Sequence, residues 1–511
     1  MNAPVDGGRL LWQGADWDFA TLERIHDACA QVATGEMGLE VYPNRIEVIS
    51  AEQMLDAYAS TGLPLFYRHW SFGKHFAQHE AMYRRGLRGL AYEIVINAEP
   101  CVSYVMEENT ATMQALVIAH AAFGHNHFFR NNRLFREWTD ARGILDYLEF
   151  ARGYIQSCEE RFGEPEVERL LDSAHALMNQ GVHRHRRRAP DLLSEQRREQ
   201  ERRQHDERMY NVLWSTLPER ASAPPSQGET ARRRALLQLP QENLLYFLEK
   251  SAPRLAPWQR EVLRIVRNIA QYFLPQRQTK VMNEGCATYT HHRILHRLHE
   301  QGRISDGALL EVLHSHAAVI FQPGFDDPRY SGINPYALGF AMMSDIERIC
   351  RSPTEEDRQW FPDFAGCGEP MPVLRHAWAE FRDESFILQY LSPHLIREMR
   401  LFHLLDDAAA PVLRVAAMHD ERGYRRVRQA LARQYDPAWT DPDIQVVDVD
   451  LAGDRRLILE HAAIDGRLLD EKDAKQVMRH LASLWGYEVL LREVAAAGGA
   501  TLREHAVGPP R

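Results

Sequence analysis

From about Trp17 to Leu405 the apolar residues recur every three to four positions, and from about Val412 they recur every second position. A chain with that one switch of period is expected to fold as a large helical body followed by a smaller part that carries strands. Within the first part, Ser50-Ala-Glu-Gln53 reads as a capping box, with Met54, Leu55 and Tyr58 on the buried face and Gly62 as the stop. Asn109 before Thr110 opens another helix; its stripe of Met113, Leu116, Val117 and His120 is expected to end at Gly124, leaving His125-Asn-His127 in the turn. Asn334-Pro335, Ser392-Pro393 and Ser352-Pro-Thr-Glu355 each place a capping side chain ahead of a proline in the first helical turn.

In the second part, a strand over 412–418, a helix over 421–434, strands over 444–450 and 455–461, a helix over 471–484 and a strand over 487–492 spell β-α-β-β-α-β. That order predicts the ferredoxin-like plan. The predicted fold class is therefore a mainly α-helical body over 1–405, with a charged insert near 183–229, and a C-terminal α+β ferredoxin-like (βαββαβ) module over 406–500. The strand Arg456-Leu-Ile-Leu-Glu-His461 lacks the aromatics on which RNA-recognition sheets stack bases, so partner contact is the expected role of this module.

Charge narrows the function classes. The 511 residues carry 61 Lys and Arg against 71 Asp and Glu, a net −10 that speaks against unspecific nucleic-acid binding. The arginine-rich run that begins at His183-Arg-His-Arg-Arg-Arg188 is soon interrupted by acids, so a solvated charge run outweighs an anion or RNA patch. No apolar run approaches the ~20 residues of a membrane helix, so no membrane span is expected. The six cysteines form no CxxC pair and the first residues lack a secretory pattern, so a reducing cytoplasm is the expected location.

Chemistry is expected where polar residues interrupt core stripes. His120 shares a face with Met113, Leu116 and Val117; Glu284 and His291 share one with Ala287, Ile294, Leu295 and Leu298. A buried carboxylate costs several kcal/mol unless it is paired, bonded or bound to a metal. One economical solution is a divalent metal such as Zn held between helices by His120, His125 and Glu284 or His291. Against it, Glu284 and His291 lie about 10.5 Å apart along a straight helix. In addition, Ala121 after His120 removes the His-Glu-x-x-His general base. The weight of the sequence falls on the other solution, a satisfied network of buried hydrogen bonds, because perturbed ionisable groups also arise structurally.

Other features carry less. His75 and His79, with Glu80 beside them, have the i, i+4 spacing of zinc ligands but no evident third ligand among 24 histidines. His292, His296 and His299 interleave with arginines and read as solvated surface. Cys286, beside Glu284, reads as a packed thiol more than a nucleophile, and the aromatic run 66–73 reads as core more than a pocket wall. Phosphate loops, dinucleotide fingerprints and Gly-x-Ser-x-Gly elbows are missing.

Longer blocks carry a resemblance. They include Tyr42-Pro-Asn-Arg-Ile-Glu47, Gly89-Leu-Ala-Tyr-Glu-Ile-Val-Ile-Asn97, Met106-Glu-Glu-Asn-Thr110, Gly124-His-Asn126, Val281-Met-Asn-Glu-Gly285 and Gly332-Ile-Asn-Pro-Tyr-Ala-Leu-Gly-Phe340. By these blocks nearly the whole chain resembles the stage V sporulation protein R (SpoVR) family. The chain departs from the family pattern at Cys286 and Thr290. The resemblance implies a link to spore cortex formation or to stress and stationary phase. It also implies association with a PrkA-like serine kinase and a von Willebrand-type partner, and no settled reaction. The alternative from another class is a metal-dependent hydrolase with His120, His125 and Glu284 as ligands.

Overall fold

Thr110 opens the central helix, its Oγ1 accepting the Met113 N–H at 3.1 Å, so the cap falls one residue after Asn109. The helix α1 (Ala111–Ile118) continues as a π-wound segment, Ala119–His125, and closes as Asn126–Asn131. Every residue from Ala111 to His125 is buried, so the helix has no polar face and belongs at the centre of a core. The computed structural model describes residues 10–59, 93–184, 237–325, 327–405, 414–417, 420–450, 454–496 and 499–509, with a few single positions between them. Outside these lie Gly62, His75, His79, Glu80, the aromatic run except Tyr67 and His69, and most of the charged stretch 184–229.

The expected stop at Gly124 is not a stop, and the reason is packing. A Cβ on Gly124 would stand 2.4 Å from the Cα of Ala287 in α2 (Lys280–Glu300). Glycine here permits backbone contact between two helices, with no left-handed turn. The same device recurs one helix further. A Cβ on Gly285 would meet the backbone of Gly339, in α4 (Pro335–Arg351), at 2.6 Å. Between α2 and α4 in sequence lies α3 (Asp306–Val319).

The N-terminus of α2 is capped from a distance. Asp383, the first residue of α5 (Asp383–Tyr390), accepts from the N–H groups of Val281 and Met282, both at 2.9 Å. Two of the orphan donors that open α2 are thereby satisfied inside the core. Ser50 and Gln53 form the expected reciprocal box, and Asn334 and Ser392 cap as expected. At 352–355 the cap shifts to Thr354, and Asp357 is the acid that turns back. Arg348 grips Asp357 with both terminal nitrogens, at 2.6 and 2.9 Å, which fixes that choice.

The helical body also contains a sheet that helical periodicity does not announce. Strands β1 (Asn44–Ile49), β2 (Glu93–Ile96) and β3 (Cys101–Met106) form a sheet of order β1-β3-β2, with β1 parallel and β2 antiparallel to β3. All six residues of β3 are buried, so it shows no alternation.

The chain divides into two units, Met1–Gln156 with Tyr272–Thr440 and Ser157–Gln271 with Asp441–Arg511. The first is mainly helical; the second ends in a four-stranded sheet. The predicted C-terminal elements occur in the predicted order, but their pairing departs from the ferredoxin-like plan. Strand β5 (Arg414–Ala417) pairs with β4 (His403–Leu405) and is followed by α6 (Glu421–Tyr435). The four-stranded sheet is β6 (Ile444–Val449), β7 (Leu457–Ala463), β8 (Val489–Ala495) and β9 (Thr501–Val507), in that order. Because β7 and β8 pair directly and in parallel from Leu457↔Val489 to Ala463↔Ala495, no first strand can lie between them. The crossover is α7 (Glu471–Trp485), begun by Asp470 and ended by Gly486 at φ +85.

Candidate metal centre

His120 and His125 are five residues apart, which on an α-helix would separate their side chains by about 140° around the axis. The i→i+5 winding of this segment removes that separation. The two rings stand 4.7 Å apart, centroid to centroid. Both present Nε2 to Glu93, the first residue of β2, with His120 Nε2 at 3.1 Å and His125 Nε2 at 3.9 Å from Glu93 Oε1. Helix α2 adds Glu284, whose Oε2 is 3.6 Å from His125 Nε2, and His291, whose Nδ1 is 2.8 Å from His120 Nδ1.

All four residues expected from the sequence therefore meet, and Glu93 joins them. The seven-residue spacing of Glu284 and His291 is resolved by division of labour. Glu284 meets His125 and His291 meets His120, so no single atom has to span both.

The outer nitrogens are all engaged. His125 Nδ1 is 2.9 Å from Asn283 Oδ1, which can only accept, so the proton sits on Nδ1 and Nε2 presents a lone pair. His120 Nδ1 is held by His291 Nδ1, and His291 Nε2 by Nδ1 of His316 at 3.0 Å. Two imidazoles, each anchored through Nδ1 and aimed through Nε2 at a shared carboxylate, match the way proteins orient metal-binding histidines.

Burial pushes the Glu93 carboxyl well above its ordinary range, and the nearby charge of Glu284 adds to the effect. Burial holds His120 and His291 well below the usual imidazole range, reinforced by the neighbouring imidazoles. Glu93, His120 and His125 can each offer one ligand atom within 4.8 Å of the others, the set with that property among the described residues.

A plain hydrogen-bond network accounts for only part of this. The 3.1 Å contact can be a hydrogen bond, whereas 3.6 and 3.9 Å cannot. Glu93 Oε2 and Glu284 Oε2 are buried with no hydrogen-bond partner, at a cost of about 1–3 kcal/mol each if left so. A tetrahedron with bonds of ~2.1 Å has edges of about 3.4 Å, inside the observed 3.1–3.9 Å spread. The spacing of Glu93, His120 and His125 is thus compatible with a shared divalent ion.

Neighbouring groups are assigned elsewhere. His127 faces away, its Nδ1 on the backbone of Glu40. Cys286 is fully buried, its thiol pushed up by burial and its Sγ 3.8 Å from the Gly124 carbonyl, so it packs. His292 and His296 are not solvated surface as expected. Both are half-buried, their tilted rings 4.2 Å apart between centroids, and burial takes His292 down to about 3. His299 does reach outward, to Asp306 at 2.8 Å.

Sequence reasoning missed Glu93, Asn283 and His316. His316 had a signal, since Ala308, Val312 and His316 form an i, i+4, i+8 buried stripe. Glu93 had none beyond a four-residue strand.

Comparison with known proteins supplies the lineage. A family model described as "SpoVR like protein" matches residues 16–440, and one described as "SpoVR-like C-terminal domain" matches residues 442–496. A relative from Escherichia coli (strain K12), described as "Uncharacterized protein YcgB", is 51% identical over 502 residues, covering 98% of this chain and 97% of the relative. No solved structure matches.

Proposed function

Since the chain belongs to the SpoVR-like family, we propose that what its helical body does is hold a divalent transition metal, with Glu93, His120 and His125 as ligands and Glu284, which reaches His125, as the fourth. The observation that carries this reading is the pair of anchored histidines, both Nδ1 atoms engaged and both Nε2 atoms turned to Glu93. Two imidazoles and two carboxylates suit Zn and the neighbouring first-row divalent ions. Once bound, such an ion would supply Lewis-acid chemistry at a water-excluded position. The chain's own contribution is to fix both tautomers and to set Glu93 and Glu284 against the same imidazole, His125. His291, with both ring nitrogens occupied, stands behind His120.

The biological setting in this reading comes from the resemblance alone: a cytoplasmic role in sporulation or stationary-phase stress, beside a PrkA-like serine kinase and a von Willebrand-type partner. The C-terminal sheet is assigned to partner contact. Elemental analysis of protein purified without a nickel column tests the metal. Close to one equivalent of a transition metal is expected, falling below about 0.2 in Glu93→Gln and His120→Ala. An unmetallated parent that also ignores added Zn²⁺ defeats the reading.

A further inference from the structure

Behind His120 the hydrogen bonds do not stop at one partner. His120 Nδ1 meets His291 Nδ1 at 2.8 Å, and His291 Nε2 meets His316 Nδ1 at 3.0 Å. All three rings are buried. The three rings come from three different elements, the π-wound segment, α2 and α3. A neutral imidazole has one N–H and one lone pair, so two consecutive contacts between neutral rings share one direction. Either every proton points from His120 toward His316, or every proton points back. His316 is therefore tied to the face of His120 it never touches.

We propose that His291 and His316 are positioning residues that set the tautomer of His120, a role that rests on the metal reading above. In this arrangement His120 donates from Nδ1 to His291 Nδ1, and His291 donates from Nε2 to His316 Nδ1. His120 Nε2 is then a lone pair aimed at Glu93 and at the ion. No ring carries a net charge and no proton leaves the chain of three. His316 ends the chain as an acceptor, and its ring is fixed from the side by Phe340, at 4.6 Å between centroids, and by His292, at 5.0 Å. Its Nε2 has no hydrogen-bond partner among the described residues and keeps some contact with solvent, where it carries its proton.

The relay makes a distinction that packing does not. Removing the acceptor at His316 strands the His291 Nε2–H and lets the chain reverse, placing a proton on His120 Nε2 where the ion must bind. Outer partners of this kind carry about 10–100-fold in metal affinity. His316→Phe keeps an aromatic ring of similar size and removes the acceptor. His316→Gln loses the ring but offers a carbonyl that accepts from His291.

The test is Zn²⁺ titration of the full chain and of both variants, together with ¹⁵N-histidine spectra of the Zn²⁺-loaded parent. About 10–100-fold weaker binding is expected in His316→Phe, with most of the loss recovered in His316→Gln. The loaded parent is expected to show N–H on Nδ1 of His120 and on Nε2 of both His291 and His316. Parent-like Zn²⁺ affinity in His316→Phe, or a loaded parent with the His291 proton on Nδ1, overturns the relay and leaves the metal centre standing. A parent that binds no Zn²⁺ overturns both. The spectra of the parent decide the matter even if the phenylalanine variant fails to fold.

Discussion

Among single residues, the histidines set how the protein responds to acid. Burial takes His316 down to about 4 and His292 to about 3, and it holds His120 and His291 well below 6.5. Imidazoles in the unfolded chain titrate near 6.5, so below that pH the unfolded state binds more protons than the native one. The stability these neutral rings contribute is present above 6.5 and is lost as pH falls from there toward about 4. Glu93 acts in the opposite sense, since a raised carboxyl contributes below its unfolded value and loses that contribution as pH rises. Asp383, which burial raises to about 7, acts in the same sense as Glu93. The four rings, joined by His127 at about 4, outweigh these two carboxyls. The urea midpoint of the metal-free protein should therefore drop between pH 6.5 and about 4. A midpoint that is flat or rising across that window contradicts the buried, neutral assignment of the rings.

Residues of this kind were legible where they broke a pattern. His120, Glu284 and His291 stand out as polar interruptions of apolar helical stripes, and all three do face the cluster. Glu93 breaks no such pattern, because Glu93-Ile-Val-Ile96 is too short for its alternation to be distinctive.

At the scale of elements, the centre depends on helices that approach to backbone contact. Gly124 lies against Ala287, and Gly285 against Gly339, with no room for a Cβ at either crossing. Gly124→Ala and Gly285→Ala should each cost about 1–3 kcal/mol in urea unfolding, as overpacked cores do. Gly124→Ala should also weaken Zn²⁺ binding, because His125 is the next residue. Stability within about 0.5 kcal/mol of the parent would mean that the crossing is looser than described.

Asp383 offers a second test of the same geometry. Its carboxylate holds the first N–H groups of α2, ahead of Asn283 and Glu284. Asp383→Ala should cost about 1–3 kcal/mol and lower Zn²⁺ affinity together, while Asp383→Asn should retain part of both. Loss of stability without loss of affinity would detach the cap from the centre. The helices themselves, and several of their caps, could be read from apolar spacing and from Asn, Ser and Thr positions. The π winding could not, since apolar spacing carries no phase in a segment buried on every side. The stop predicted at Gly124 failed because glycine serves close approach as readily as it ends a helix. The sheet in the body was hidden because β3 is buried on both faces.

For the whole molecule, the metal reading places all of its consequences in the first unit, which contains every ligand. Free Zn²⁺ at about a hundredfold over Kd should stabilise that unit by roughly 2.7 kcal/mol. Differential scanning calorimetry should then show a transition that rises with Zn²⁺ in the parent and not in His120→Ala. A parent with no transition that moves, or a variant that moves with it, would be inconsistent with a centre in this unit. The C-terminal order of elements was legible from period-two spacing. Its pairing was not, because order along the chain does not say which strand lies beside which, and β9 fell past the last predicted strand.

The most direct measurement is X-ray absorption on the Zn²⁺-loaded full chain and on His125→Ala. The parent should show about two imidazole nitrogens and carboxylate oxygen at ~2.0–2.2 Å, with one imidazole lost in the variant. A sulfur shell at ~2.3 Å, an imidazole count unchanged by His125→Ala, or no bound zinc at all would contradict the centre described here.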